Sequence, residues 1–224
     1  MIEFISATRA TEAEFWTRTP LGVSLQRLGR NGRHEASITF GNTRGLGEVY
    51  NARIDAADAD RMLAFVHDDV WLPDFHLHEH VRMALQEFDV VGAAGCTARA
   101  PRQAGWAFLD ASFRPIPGEQ ASGAVAHGRN PFGPVSYFGP TPAACELLDG
   151  VFIAARAGRL REAGVRFDPR FRFHFYDIDF CRTARAAGLR VGTWPISLVH
   201  QSEGGFDTPD WHATYADYLA KWGD

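Results

Sequence analysis

The chain has little cysteine: Cys96, Cys145 and Cys181 are the only three in 224 residues. They are odd in number and far apart. That excludes a disulfide framework and the paired spacings of a zinc finger, and it fits a reducing compartment. No apolar run is long enough to span a bilayer. The start, Met1-Ile2-Glu3-Phe4-Ile5, has neither the basic residues nor the apolar stretch of a signal peptide. The expected location is the cytosol, with any lipid-bearing substrate met at the inner face of the membrane and no integral membrane segment. An excess of basic charge is lacking too. A net charge of -4 and a pI near 6.1 set up no field for nucleic acid.

What is present is ordinary globular material. A hydrophobic share of 46% with 22% charged residues supports a core of normal size in one domain, 1–224. Ile2 to Ala7 reads as a strand. Thr11 and Glu14 form a capping box for a helix that carries Phe15. Pro20 opens a continuation with Leu21, Leu25 and Leu28, and Gly29 stops it. Ala36 to Phe40 is a second strand, and Leu46 to Arg53 a short helix. Leu63 to Val66 is a continuous apolar run, the pattern of a strand buried on both faces. Asp74 is placed to cap a helix whose inner face is Leu77, Val81, Ala84, Leu85 and Phe88. Val90 to Gly95 and Leu147 to Ala154 read as buried strands, and Leu189 to Val199 as extended chain. Arg156 to Ala163, Asp177 to Ala187 and Trp211 to Trp222 read as helices. Strands alternate with helices, so the fold class is α/β with a mostly parallel central sheet flanked by helices. Residues 99–142 break the rhythm. Rich in Gly, Pro, Arg and aromatics, they read as an irregular binding loop that is partly mobile without ligand.

Chemistry concentrates at strand ends. Asp68 and Asp69 follow the Leu63 run, the place where open α/β sheets bind ligands. Adjacent carboxylates repel, and a divalent cation with a taste for oxygen, Mg²⁺ or Mn²⁺, would satisfy them. An exposed acidic turn is the simpler alternative. Asp177 and Asp179 open a helix, where a carboxylate stays ionised and serves either as a cap or as a general base. His200 ends a strand and leads into Gln201-Ser202-Glu203-Gly204-Gly205. It is a metal ligand or a loop histidine. His76, His78 and His80 are the densest histidine cluster, but Arg82 interrupts zinc-protease spacing, so they read as a solvated helix face.

These pieces occur in one order. Gly45-Leu46-Gly47-Glu48-Val49-Tyr50-Asn51, Phe65-Val66-His67-Asp68-Asp69-Val70, Leu148-Asp149-Gly150-Val151-Phe152-Ile153-Ala154, Tyr176-Asp177-Ile178-Asp179 with Arg182, and Leu198-Val199-His200 together resemble the GT-A nucleotide-sugar glycosyltransferases of the family 2 type. The resemblance implies a single GT-A-like domain, with a nucleotide-binding half at 1–98 and an acceptor-binding and catalytic half at 99–224. It implies transfer of one sugar, with inversion, from a UDP-, GDP- or dTDP-sugar to a saccharide or lipid-linked acceptor, in surface polysaccharide or glycoconjugate synthesis. It makes Asp69 and His200 ligands of Mn²⁺ or Mg²⁺ and Asp177 the base. Thr8, Arg9, Asn42, Asn51, His67, Asp68, Asp149 and Gly150 then fall where the family holds the nucleotide sugar. His67 stands where the family has the first acid of Asp-x-Asp, and Tyr176 where it has a Glu. The Gln-x-x-Arg-Trp of processive synthases is missing. Two other classes are weighed. A nucleotidyltransferase would carry a Gly-rich phosphate loop with Lys or Arg near residues 7–20, but Thr8 to Pro20 has no Gly and no Lys. A catalytically inactive sugar-binding protein is the other, kept open by His67.

Overall fold

The computed structural model describes residues 1–29, 32–202 and 204–223. Glu203, part of the polar run after His200, lies outside them. Thirteen strands, β1 to β13, and seven α-helices, α1 to α7, are named among the described residues. The first stretch gives β1 (Ile2–Ala7), α1 (Glu12–Arg18), α2 (Pro20–Leu28), β2 (His34–Thr39), α3 (Leu46–Ala56), β3 (Met62–Val66), β4 (Val70–Trp71) and α4 (Leu77–Glu87). Then come β5 (Val90–Gly92), β6 (Ala94–Cys96), β7 (Ala121–His127), β8 (Val135–Gly139), β9 (Ala143–Ala144), β10 (Leu147–Leu148) and β11 (Phe152–Arg156). The chain closes with α5 (Ala157–Glu162), α6 (Tyr176–Ala186), β12 (Val191–Thr193), β13 (Val199–His200) and α7 (Pro209–Trp222).

The main sheet runs β2-β1-β3-β11-β5-β12-β9. β1 pairs parallel with β2 and β3, and β12 with β5. β11 is inserted antiparallel between β3 and β5, and β9 is antiparallel at the edge. β2, β1, β3, β5 and β12 thus run one way and only β11 and β9 the other, which is the expected α/β class with a mostly parallel central sheet. β3 shows why. Leu63 and Phe65 point into the layer with α3, α5, α6 and α7, while Met62, Ala64 and Val66 point into the layer with α1, α2 and α4. A period of two with both faces apolar is the mark of a strand covered on both sides. Removing a side chain such as Phe65 from this core costs about 3–5 kcal/mol.

Local signals account for several element ends. Thr11 and Glu14 close the capping box of α1. Thr19 caps α2 with Pro20 in its first turn. Thr208 caps α7 through the Trp211 N–H. Four expectations need correction. Asp74 is not the N-cap of α4; His76 is, and Asp74 instead accepts from the His76 N–H (2.7 Å) and faces His80 Nδ1 (2.7 Å). Val90 to Gly95 is not one strand. It bends at Ala93, so that β5 stays in the main sheet and β6 enters a second one. Leu147 to Ala154 is broken likewise by a turn at Asp149-Gly150. Residues 99–142 are not loop throughout, because they hold the antiparallel pair β7–β8.

The second sheet runs β10-β6-β7-β13-β4, with β8 on β7. Its β4–β13 pairing matters most. His200 sits opposite Val70, and the Gln201 N–H donates to the Asp69 carbonyl (3.0 Å). Both sheets take strands from residues 1–98 and from 99–224. Among the described residues no helix is long and apolar enough to cross a membrane.

Candidate active site and metal centre

β3 ends at Val66 and delivers His67, Asp68 and Asp69 to the mouth of a cavity of about 520 Å³. The antiparallel β4–β13 pair then folds His200 back beside Asp69, with His200 Nε2 3.3 Å from Asp69 Oδ2. Burial alone would raise the Asp69 carboxyl. The hydrogen bonds and charge of His200, with Ser202, overcome it and hold the group well below the usual carboxylate range. His200 is correspondingly raised: burial opposes its charge, but the Asp69 carboxylate more than offsets that. His67 is pushed the other way, because burial outweighs the neighbouring carboxylates and keeps its ring neutral.

His67, Asp69 and His200 each offer one ligand atom, and the three atoms lie within 4.8 Å of one another. Asp69 Oδ1 is buried and has no hydrogen-bond partner among the described residues. A buried oxygen without a donor is costly. A cation seated among two imidazoles and this carboxylate would satisfy it, so the residues fit a divalent metal. The expected pair Asp69 and His200 is thus brought together. His67 joins it, which the reading of the sequence missed by treating position 67 as a substitute for an acid. Its residue type, a histidine at a strand end two positions before Asp69, was the available signal.

Asp177 approaches from the other wall. Phe175 turns the chain in a left-handed conformation (φ 63°) and α6 starts at Tyr176, so Asp177 lies in the first turn. Its Oδ2 accepts from the Gly150 N–H (3.0 Å). Burial, then the negative Asp149 nearby, push its carboxyl up to about 7 despite the backbone donors around it. A carboxylate that titrates near neutrality is a poised acid or base. Asp179, one turn face away, is different. It is fully buried, 2.6 Å from Lys221 Nζ, and accepts from Trp222 Nε1 (2.9 Å). It ties α7 to α6 and does not line the cavity.

The other predicted residues divide. Asp68, Asp149 and Gly150 line the cavity with His67. Thr8 is buried behind it and donates from Oγ1 to Asp68 Oδ2 (2.5 Å), fixing that carboxylate. Asp149 Oδ1 accepts from the Val151 N–H (2.9 Å). Arg9, Asn42 and Asn51 are not brought to the cavity wall. Arg9 is exposed. The Asn42 amide closes a turn with the Arg44 backbone. The Asn51 amide is used on both sides by Phe167, donating to its carbonyl (2.7 Å) and accepting from its N–H (2.9 Å). Asn51 therefore clamps α3 to the segment before α6. Of the three histidines at the start of α4, His76 is exposed, whereas His78 and His80 are half-buried and His80 faces Asp74. Two of the aromatics in 99–142, Trp106 and Phe138, pack edge to face (4.9 Å) and form part of the wall. Phe173, Phe175, Phe206 and Trp211 complete an apolar side that had no distinct pattern in the sequence.

No protein-family model and no curated protein matches the chain. Among solved structures it is similar to a variant Drosophila β-1,4-galactosyltransferase 7 in complex with manganese, UDP-Gal and xylobiose, at 9% identity and a TM-score of 0.45 over 86% of this chain and 64% of that one. It is similar to a mannosyltransferase from Pyrobaculum calidifontis in complex with GDP-Man and Mn²⁺, at 14% identity and a TM-score of 0.47 over 97% of this chain and 61% of that one. It is also similar to a protein from STIV, at 12% identity and a TM-score of 0.45 over 92% of this chain and 97% of that one. The chain thus spans less than two thirds of the length of the two transferases, and likeness of this degree assigns it no family.

Proposed function

We propose that the chain is a metal-dependent, inverting glycosyltransferase that moves one sugar from a nucleoside-diphosphate sugar to a hydroxyl acceptor. One observation carries the reading: a metal-competent group at the end of β3 and a carboxylate titrating near 7 face one cavity from different elements. Asp69 and His200 hold the cation, and Mn²⁺ suits the mixed oxygen and nitrogen donors. A cation held there would supply positive charge against the diphosphate leaving group. Asp68, positioned by Thr8, and Asp149 lie beside the donor. Asp177 takes the proton of the acceptor hydroxyl as its oxygen attacks the anomeric carbon. The bond from that carbon to the diphosphate oxygen breaks in the same displacement, so the configuration inverts. The aromatic wall of Trp106, Phe138, Phe173 and Trp211 receives the acceptor, because rings stack on the apolar faces of sugars. A saccharide or lipid-linked acceptor, and a role in surface polysaccharide or glycoconjugate synthesis, follow from this reading.

The test is a thermal-shift panel of UDP-, GDP-, dTDP- and CMP-sugars with and without Mn²⁺, since a ligand of the folded state raises its melting temperature. One nucleotide class should stabilise the protein only with the metal present. Asp69→Ala should abolish that shift and leave the unliganded melting temperature within a few degrees. A nucleotide response that persists in this variant overturns the metal role.

A further inference from the structure

We propose that His67 is a third protein ligand of the cation, held in that role by Tyr176. The proposal rests on the metal-dependent reading above and adds to it, since the sequence resemblance places a donor contact at position 67. The polarity of two hydrogen bonds fixes the assignment. The Gly150 carbonyl only accepts, and the Tyr176 hydroxyl donates to it at 2.8 Å. The single hydroxyl proton is thereby engaged. His67 Nε2 lies 2.7 Å from the same oxygen. The proton between them must come from the ring, so His67 carries its hydrogen on Nε2. Nδ1 is left with its lone pair. An imidazole with one N–H fixed by a buried partner and the other nitrogen free is the arrangement by which proteins orient metal-ligating histidines.

The chain builds this relay with care. Tyr176 is buried, and its ring packs against Tyr50 (6.1 Å) and Phe167 (6.0 Å), so the hydroxyl has little freedom. Gly150 admits it: a Cβ there would sit 2.3 Å from the Tyr176 hydroxyl and 2.9 Å from Asp177 Cβ. Asp69 Oδ1, buried and without a partner among the described residues, independently favours a positive group at the same place. Two imidazoles and one carboxylate form the donor set. Mg²⁺ prefers oxygen ligands throughout, whereas Mn²⁺, Co²⁺ and Zn²⁺ accept imidazole. The site should therefore discriminate against Mg²⁺ before any nucleotide is bound.

The experiment titrates the full chain, without nucleotide, with Mn²⁺, Co²⁺ and Mg²⁺ by calorimetry, and follows Co²⁺ by its visible absorption. Wild type should bind Mn²⁺ and Co²⁺ at least tenfold more tightly than Mg²⁺. Tyr176→Phe should weaken Co²⁺ binding about 10- to 100-fold, the usual effect of removing a group that orients a ligand, and should alter the Co²⁺ spectrum. His67→Ala should weaken it further. His67→Asp keeps a ligand but exchanges nitrogen for oxygen, so it should narrow the gap between Mn²⁺ and Mg²⁺. Circular dichroism monitors folding, and His67→Asp remains informative if the tyrosine variant does not fold. Wild-type Mn²⁺ and Co²⁺ affinity in both His67 variants, with binding lost in Asp69→Ala, refutes the third ligand and leaves the two-ligand reading intact. Unchanged affinity in Asp69→Ala as well removes the metal from this cavity altogether.

Discussion

Asp177 should make the protein less stable as the pH rises, and its removal should trade activity for stability. An aspartate in an unfolded chain titrates near 3.9, whereas burial and the neighbouring Asp149 push Asp177 up to about 7. The folded state therefore holds a proton that the unfolded state has released. Stability from this group is full below about pH 4, and is lost progressively as the pH climbs through about 7. Between pH 5.5 and 8.5 the loss comes to about 2 kcal/mol at most, because the group is partly open to solvent and screening reduces the penalty. For a domain of this size that corresponds to roughly 4–8 °C in melting temperature. Asp177→Asn keeps an oxygen for the Gly150 N–H and carries no charge, so it should lack this pH dependence. Calorimetric scans of both proteins at pH 5.5 and 8.5, without metal, measure it. The variant should gain on wild type between the two conditions. Meanwhile wild-type transfer should rise with pH up to about 7 and then level off, and the variant should lose about 10²- to 10⁴-fold in rate, the usual weight of a general base. A variant with wild-type rate, or two proteins whose melting temperatures move in parallel with pH, would refute the assignment.

Two further outcomes are expected. Lys221 is the cation that meets the fully buried Asp179 (2.6 Å) and also Asp168 (2.9 Å); Lys221→Met should cost about 3–5 kcal/mol by stranding a buried charge, read as a lower denaturation midpoint, and a midpoint equal to wild type would show that the pair does not hold α7. Trp106→Ala should raise the acceptor KM far more than the donor KM with little change in melting temperature; a large drop in melting temperature with normal acceptor kinetics would make Trp106 a core residue, as its contact with Phe138 also allows.

Much of this architecture was legible because it is local. The capping box at Thr11, the apolar run of β3 and the apolar faces of α2 and α4 are each read within a few residues, and periodicity is a local signal. The errors came where tertiary pairing cuts an apolar run in two. Val90 to Gly95 has nothing but small and apolar residues, so no residue in it announces the bend at Ala93. The bend exists because Ala94 to Cys96 pair with β7 and β10, strands supplied by distant segments. The turn at Asp149-Gly150 had a better signal, since Asp-Gly is a turn pair, yet the apolar residues on either side masked it. The same two positions belong to the site, where backbone rules yield to function.

The site itself was half legible for a related reason. Residue type and strand position marked Asp68, Asp69, Asp177 and His200, but sequence has no measure of what faces what. Asp177 and Asp179 differ by two positions on one helix. That is enough to turn one toward the cavity and the other into the core, where Lys221 meets it. Asn51 looked like a donor contact and instead serves the Phe167 backbone, because its place on α3 turns the amide toward the neighbouring chain. Tyr176 is the instructive case. At the position where an acid was expected, a tyrosine cannot share its neighbour's proton chemistry. Its hydroxyl donates to Gly150 and lies within hydrogen-bond distance of His67 Nε2, and so couples the histidine at 67 to the turn that also holds Asp177. Considered singly, His67 and Tyr176 are two departures from a pattern. Considered as a hydrogen-bonded pair 2.7 Å apart, they become one unit, and under the proposal above His67 would supply a ligand atom and Tyr176 the orientation of that ligand.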